Sequence, residues 1–174
     1  MKNTFNGFKK DHNIVFLCRN TDPLEFTLEL LKLVSKKPAR VLYVSVNKSY
    51  PILAEKLKKE KIDFSKWFFI DCLSSSMLIA GAPSPQCLYL SSPKSLVDLA
   101  MAIDEKMASA DLIILDSVSG LLSYNDYVPS LQLLNTLMAK VRQTKQRAIY
   151  LLSYDAKKEV MEDLSLFADK VEVV

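Results

Sequence analysis

The chain has 174 residues, 49% hydrophobic and 25% charged, a balance that suits one domain with a substantial core. A formal net charge of +3, dispersed along the sequence, gives no footprint for specific nucleic-acid binding. The longest apolar runs are strand-sized, which argues against a membrane span, and the opening MKNTFNGFKKDHN lacks the apolar stretch of a secretory leader.

Residues 1–12 read as a polar arm with Phe5 and Phe8 as anchors, and residues 13–174 as a single domain. IVFLC (Ile14–Cys18) is a continuous apolar run, the mark of a strand covered on both faces. A helix starts directly after it: Asp22 can cap, Pro23 suits the first helical position and Glu25 completes a capping box. Leu24, Leu28 and Leu31 share its predicted inner face. RVLYVSV (Arg40–Val46) is a second strand, followed by a helix over about Pro51–Lys61 with Ile52, Leu53 and Leu57 inward. WFFID (Trp67–Asp71) is a third strand. Cys72–Gln86 is the least regular stretch, with serine, proline and glycine punctuating it, and a short apolar piece, CLYL, follows.

Ser92-Pro93 opens a third predicted helix with Leu96, Leu99, Ile103 and Met107 on one side. DLIILD (Asp111–Asp116) is the most strand-like run, and a helix over about Val128–Gln143 presents Leu131, Leu134, Met138 and Val141. AIYLLS (Ala148–Ser153), a helix near Ala156–Phe167 and KVEVV complete the alternation. Strands alternating with helices predict a three-layer α/β fold around a mainly parallel sheet with right-handed crossovers. In such sheets function gathers at the carboxyl ends of strands. Those ends are Cys18–Asp22, Val46–Ser49, Asp71–Cys72, Asp116–Ser119 and Ser153–Asp155.

RVLYVSVNKS, LSSPKSLVDLAMAIDEKM, ADLIILDSVSGLLSYNDYVPSLQLLNTLMAKVRQ and ADKVEVV occur in an order and spacing that resembles the RecA/KaiC-like branch of P-loop ATPases. The likeness covers roughly residues 13–174 and extends to archaeal KaiC-like families that have lost the phosphate loop. It implies a RecA/KaiC-like αβα architecture and self-association. It also implies that Asp116 stands at the Walker B position, which orients magnesium. Active members carry a glycine-rich loop ending in Gly-Lys-Ser/Thr after the first strand, whose backbone wraps the phosphates. Here that stretch is Arg19 to Thr27, with neither glycine nor lysine, and Pro23 removes a donor. The catalytic glutamate after the second strand is also missing, since Val46-Asn47-Lys48 holds no acid. The expectation is a pseudo-ATPase with no catalytic residue of its own and no firmly held cofactor.

The degenerate nucleotide site consists of Arg19, Asn20, Thr21, Asp116 and Ser117. A helix start attracts anions, and Arg19 could grip a phosphate, so weak ATP binding is the competing reading. Against it, Asp22 and Glu25 place carboxylates where the phosphate would lie. Asp116 reads either as a relic magnesium ligand or as a strand-end acid bonded to turn amides. Asp71 lacks the acidic pair that a phosphoacceptor site needs, and Cys72 has no nearby histidine, His12 being the sole one. Three cysteines without CxxC spacing fit reduced thiols and a cytoplasmic chain. The charge run Glu55–Asp63 reads as a solvated helix face; Lys140, Arg142, Lys145 and Arg147 read as a helix end or as a patch for an anionic partner. In the long loop, Met77, Leu78 and Ile79 are either a knob for a protein partner or a cover for the sheet edge.

Overall fold

The computed structural model describes residues 11–18, 22–37, 39–79, 83–153 and 158–174. Seven strands among these form one sheet: β1 (Asn13–Cys18), β2 (Val41–Ser45), β3 (Trp67–Asp71), β4 (Cys87–Tyr89), β5 (Leu112–Asp116), β6 (Arg147–Ser153) and β7 (Lys170–Val173). Their order is β4-β3-β2-β5-β6-β1-β7 and every pairing is parallel. Between them lie α1 (Pro23–Ser35), α2 (Tyr50–Lys59), α3 (Leu96–Met107), α4 (Val118–Tyr124), α5 (Tyr127–Gln143) and α6 (Lys158–Phe167).

Successive strand residues point to opposite faces, so each strand feeds two cores. Phe16, Tyr43 and Ile114 meet α1 and α2 on one face. Val15, Val44 and Ile113 meet α3, α4, α5 and α6 on the other. Both neighbours in each such pair are essentially buried, which is why the strands read as unbroken apolar runs. Each fully buried Leu or Phe contributes about 1.5–3 kcal/mol of transfer free energy.

Helix faces differ in part from the sequence pattern. In α1 the inner face is Phe26, Leu30, Leu31 and Val34, while Leu24 stays exposed beside the N-cap. In α2 Leu53, Ala54 and Leu57 are inward, but Ile52 is 64% exposed, since consecutive residues diverge by about 100° around a helix. Ser92 makes a turn bond to Lys94 N, and Ser95 rather than Ser92 caps α3, accepting from Asp98 N. The pattern gives no helix between 117 and 127, yet α4 lies there; it is seven residues long, too short for its period to show among serines and a glycine.

Strand order reverses between β2 and β5. From β2 the chain moves outward to β3 and β4, and from β5 it moves the other way to β6. The carboxyl ends of β2 and β5 thus form the switch point at which ligand crevices form in open α/β sheets. Asp169, at the entry to β7, ties β7 to β1 and α5: it accepts from His12 N, Asn13 N and the Arg142 guanidinium.

Candidate functional site

Ser45 and Asp116 are in register at the ends of β2 and β5, and Val46 N donates to Asp116 O at 2.8 Å. This pairing carries Asn47 and Lys48 back over the end of β5. Lys48 Nζ lies 2.5 Å from Asp116 Oδ2, and the Tyr43 hydroxyl donates to the same oxygen. The Asp116 side chain is 3% exposed and that of Lys48 23%. Burial, helped by the Asp116 carboxylate, pushes the Tyr43 phenol well above its ordinary pKa, so it remains a neutral donor.

Ser117 caps α4. Its Oγ accepts from Gly120 N at 3.0 Å and from Asn47 Nδ2 at 3.3 Å. A Cβ at Gly120 would stand 3.3 Å from the Asn47 Cβ, so glycine allows α4 to press against the loop after β2. Ser119 Oγ accepts from Ser153 N at 2.9 Å and joins β6 to the cluster.

A cleft of about 440 Å3 opens above these ends, bounded by Pro23 and Thr27 of α1, by Tyr124 and by Leu152. Cys18 faces it, but burial, with the Asp116 charge, raises its thiol to about 11, so it is not a ready thiolate. Arg19, Asn20 and Thr21 lie outside the described residues. Their neighbour Asp22 is the N-cap of α1 and accepts from Leu24 N and Glu25 N, both at 2.9 Å. The amides that would greet a phosphate there already hold a carboxylate.

The residues present do not fit magnesium. One Asp116 oxygen carries an ammonium and a phenol, and the Ser117 hydroxyl is already engaged twice. Hard cations need several free oxygen ligands. Among the described residues no group of three His, Cys, Asp or Glu could hold a metal ion.

Asp116 therefore bonds side chains rather than the turn amides that its position suggests. Asp71 is the strand-end acid that does bond amides. It is fully buried, its Oδ1 accepting from Leu73 N and Ser74 N, its Oδ2 from Tyr50 N and Ser74 Oγ. Burial raises Cys72 and Cys87, on either side of it, to about 12. Lys48, Tyr43 and Asn47 are the contributors that sequence reasoning missed. The available signal was a lysine three residues past Ser45, the register partner of Asp116.

At the far side of the same rim, Ser74 to Ile79 form one tight turn. Ile79 N donates to Ser74 O and Leu78 N to Ser75 O, with Leu78 left-handed at φ 56°. Met77 is 55%, Leu78 93% and Ile79 43% exposed, so these three side chains do not tuck over the sheet edge. No helix among the described residues is long and apolar enough to cross a membrane.

No protein-family model matches the chain, and no curated protein matches it. Solved structures do. Uncharacterised protein PH0321 from Pyrococcus horikoshii, in complex with an unknown peptide, is 18% identical with a TM-score of 0.69, over 94% of this chain and 78% of that one. The KaiC-like protein PH0186 from the same organism is 11% identical with a TM-score of 0.64, over 94% and 70%. The flagellar accessory protein FlaH from Methanocaldococcus jannaschii is 14% identical with a TM-score of 0.59, again over 94% and 70%. At such identities the likeness is one of fold, and the fold is RecA/KaiC-like.

Proposed function

We propose that this chain is a non-catalytic RecA/KaiC-like domain with a regulatory or scaffolding role exerted through protein contact. The carrying observation is the Lys48 ammonium, 2.5 Å from the carboxylate at the Walker B position. A protein cation takes the place beside Asp116 that magnesium would need, and Tyr43 closes the same oxygen from below. Asp22, capping the start of α1 with its own carboxylate, supports the same reading on the phosphate side.

The neighbour solved with an unknown peptide supports a contact role. So does the Met77–Ile79 turn, which holds a leucine in a left-handed conformation while leaving it in solvent. That conformation costs a non-glycine residue about 1–2 kcal/mol, and burial of Leu78 does not offset it. Replacing Met77, Leu78 and Ile79 with serine should abolish capture of the partner or self-association; unchanged association removes the turn from the account.

The competing reading, weak nucleotide binding without efficient hydrolysis, draws on the 440 Å3 cleft and on Lys48 at its wall. Thermal unfolding with and without ATP and magnesium separates the two. A ligand at 100 times its dissociation constant stabilises the fold by about 2.7 kcal/mol, several degrees at this size. The expected result is no shift. A shift abolished by Asp116→Ala favours the nucleotide reading and sinks ours.

A further inference from the structure

The opposite end of the sheet holds the larger opening. A groove of about 710 Å3 runs along the amino ends of β2, β3 and β5, floored by Val41, Leu42 and Phe68 and rimmed by Arg40, Lys66 and Lys106. It shares Ser65, Lys66 and Trp67 with a smaller cleft of about 250 Å3, which adds Lys36 and Lys37. Five cations thus border two adjoining clefts that share one wall, together termed the trough.

Three acids lie beside it and pair within the rim, two of them with Arg40 and Lys106, so five cations face three acids and positive charge is in excess. Asp111 is held by the Arg40 guanidinium at 2.9 Å and its amide at 2.8 Å, Asp63 by Ser65 N at 2.9 Å, and Glu105 by Lys106 at 2.6 Å. Lys106 also lies 4.9 Å from the centre of the Phe68 ring, so aromatic carbon and ammonium share one wall. Attraction of cations to helix carboxyl ends accounts for Lys36 after α1 and Lys106 in α3. It does not account for Lys66, which precedes β3; Arg40 precedes β2 and is paired with Asp111.

We propose that this trough docks an extended acidic segment of a partner protein in which apolar side chains alternate with carboxylates. An extended chain sends alternate side chains to opposite sides. One set enters the slot beside Phe68, and the carboxylates meet Lys66, Lys106 and the Lys36–Lys37 pair. Nucleic acid is disfavoured because base stacking needs an open ring. Trp67 is 4% exposed and Phe68 lies under Lys106. The inference rests on the reading that the domain acts by contact, and it specifies the partner's chemistry.

The test is fluorescence anisotropy on the full chain with three labelled probes: a peptide of alternating glutamate and leucine, one of alternating glutamate and serine, and a single-stranded oligothymidylate. Each peptide is about ten residues, enough to span roughly 33 Å. The glutamate–leucine peptide should bind best, with affinity falling as salt rises. Lys66→Glu with Lys106→Gln should weaken it at least about tenfold. Lys36→Glu with Lys37→Glu, in the exposed segment after α1, is a second variant whose folding does not depend on the groove floor, and it should weaken binding as well. No binding of the glutamate–leucine peptide, equal binding by both variants, or tighter binding of either other probe overturns the proposal. The site lies at the other end of the sheet from Asp116. A failure here leaves the closed nucleotide cleft standing, and ATP binding there leaves the trough untouched.

Discussion

The two ends of the sheet are built on opposite plans. At the carboxyl end, among the described residues, Asp22, Asp71 and Asp116 each find donors within their own rim. At the amino end, cations outnumber acids around an open trough. A carboxylate closed over by its own chain has little to offer a ligand, since a ligand must first displace a bond worth as much as the one it brings. On the function proposed above, the difference is how a RecA/KaiC-like fold would keep the position of a nucleotide site while placing its open chemistry elsewhere.

The largest break in this comparison should come from Asp71→Ala. It removes a buried carboxylate from Tyr50 N, Leu73 N, Ser74 N and Ser74 Oγ at once. A loss of about 3–4 kcal/mol is expected in denaturant unfolding. A loss below about 1 kcal/mol would mean that this rim is not held by its acids.

Lys48→Ala comes next. It leaves Asp116 buried with Tyr43 alone, and the expected loss is about 2 kcal/mol, reduced from the fully buried case because Lys48 is 23% exposed. A double-mutant cycle with Asp116→Ala should give a coupling above about 1 kcal/mol, and additive losses would show that the pair is not closed in solution.

Acid separates the ends further. Burial alone would raise the Asp169 carboxyl, but the Asn13 amide, Arg142 and the His12 amide outweigh it and hold it below the ordinary aspartate value. A depressed folded pKa gives stability that is fully present above the unfolded value of about 3.9 and is lost as pH falls through the folded one. Asp169→Asn should therefore flatten the acid limb of the stability curve below about pH 4 and leave its slope near neutrality unchanged. An unaltered acid limb would remove Asp169 from the account of how β7 is held.

The smallest effect concerns three left-handed residues, Lys61, Leu78 and Lys145, none of them glycine. Lys61 and Lys145 end α2 and α5, where Ile62 N reaches Leu57 O and Gln146 N reaches Val141 O. Glycine at any of the three should stabilise by up to about 1 kcal/mol. Leu78→Gly should also weaken partner capture, and the two lysine changes should not. If all three changes leave binding alike, Leu78 only closes its turn.

Much of this fold is legible in the sequence because its strands are buried on both faces, so runs such as IVFLC and DLIILD announce themselves without an alternating pattern. The capped start of α1 is equally local: Asp22, Pro23 and Glu25 lie within four residues and determine their own geometry. Ile52 and Leu24 show where local reading stops, because both are apolar residues on helices yet only packing decides which face is inward. The closure of Asp116 was hidden for a related reason. It requires β2 to lie beside β5 in the register Ser45 to Asp116, and sixty-eight residues separate Lys48 from its partner. Nothing in Val46-Asn47-Lys48 alone distinguishes a missing glutamate from an inserted cation.

The most direct measurement is a two-dimensional amide NMR spectrum titrated with ATP and magnesium, read at Ser117 and Gly120, whose amides sit at the closed switch point. The account predicts no change at either residue at millimolar nucleotide. A saturable shift of both, lost in Asp116→Ala, would contradict it and make the cleft a working nucleotide site.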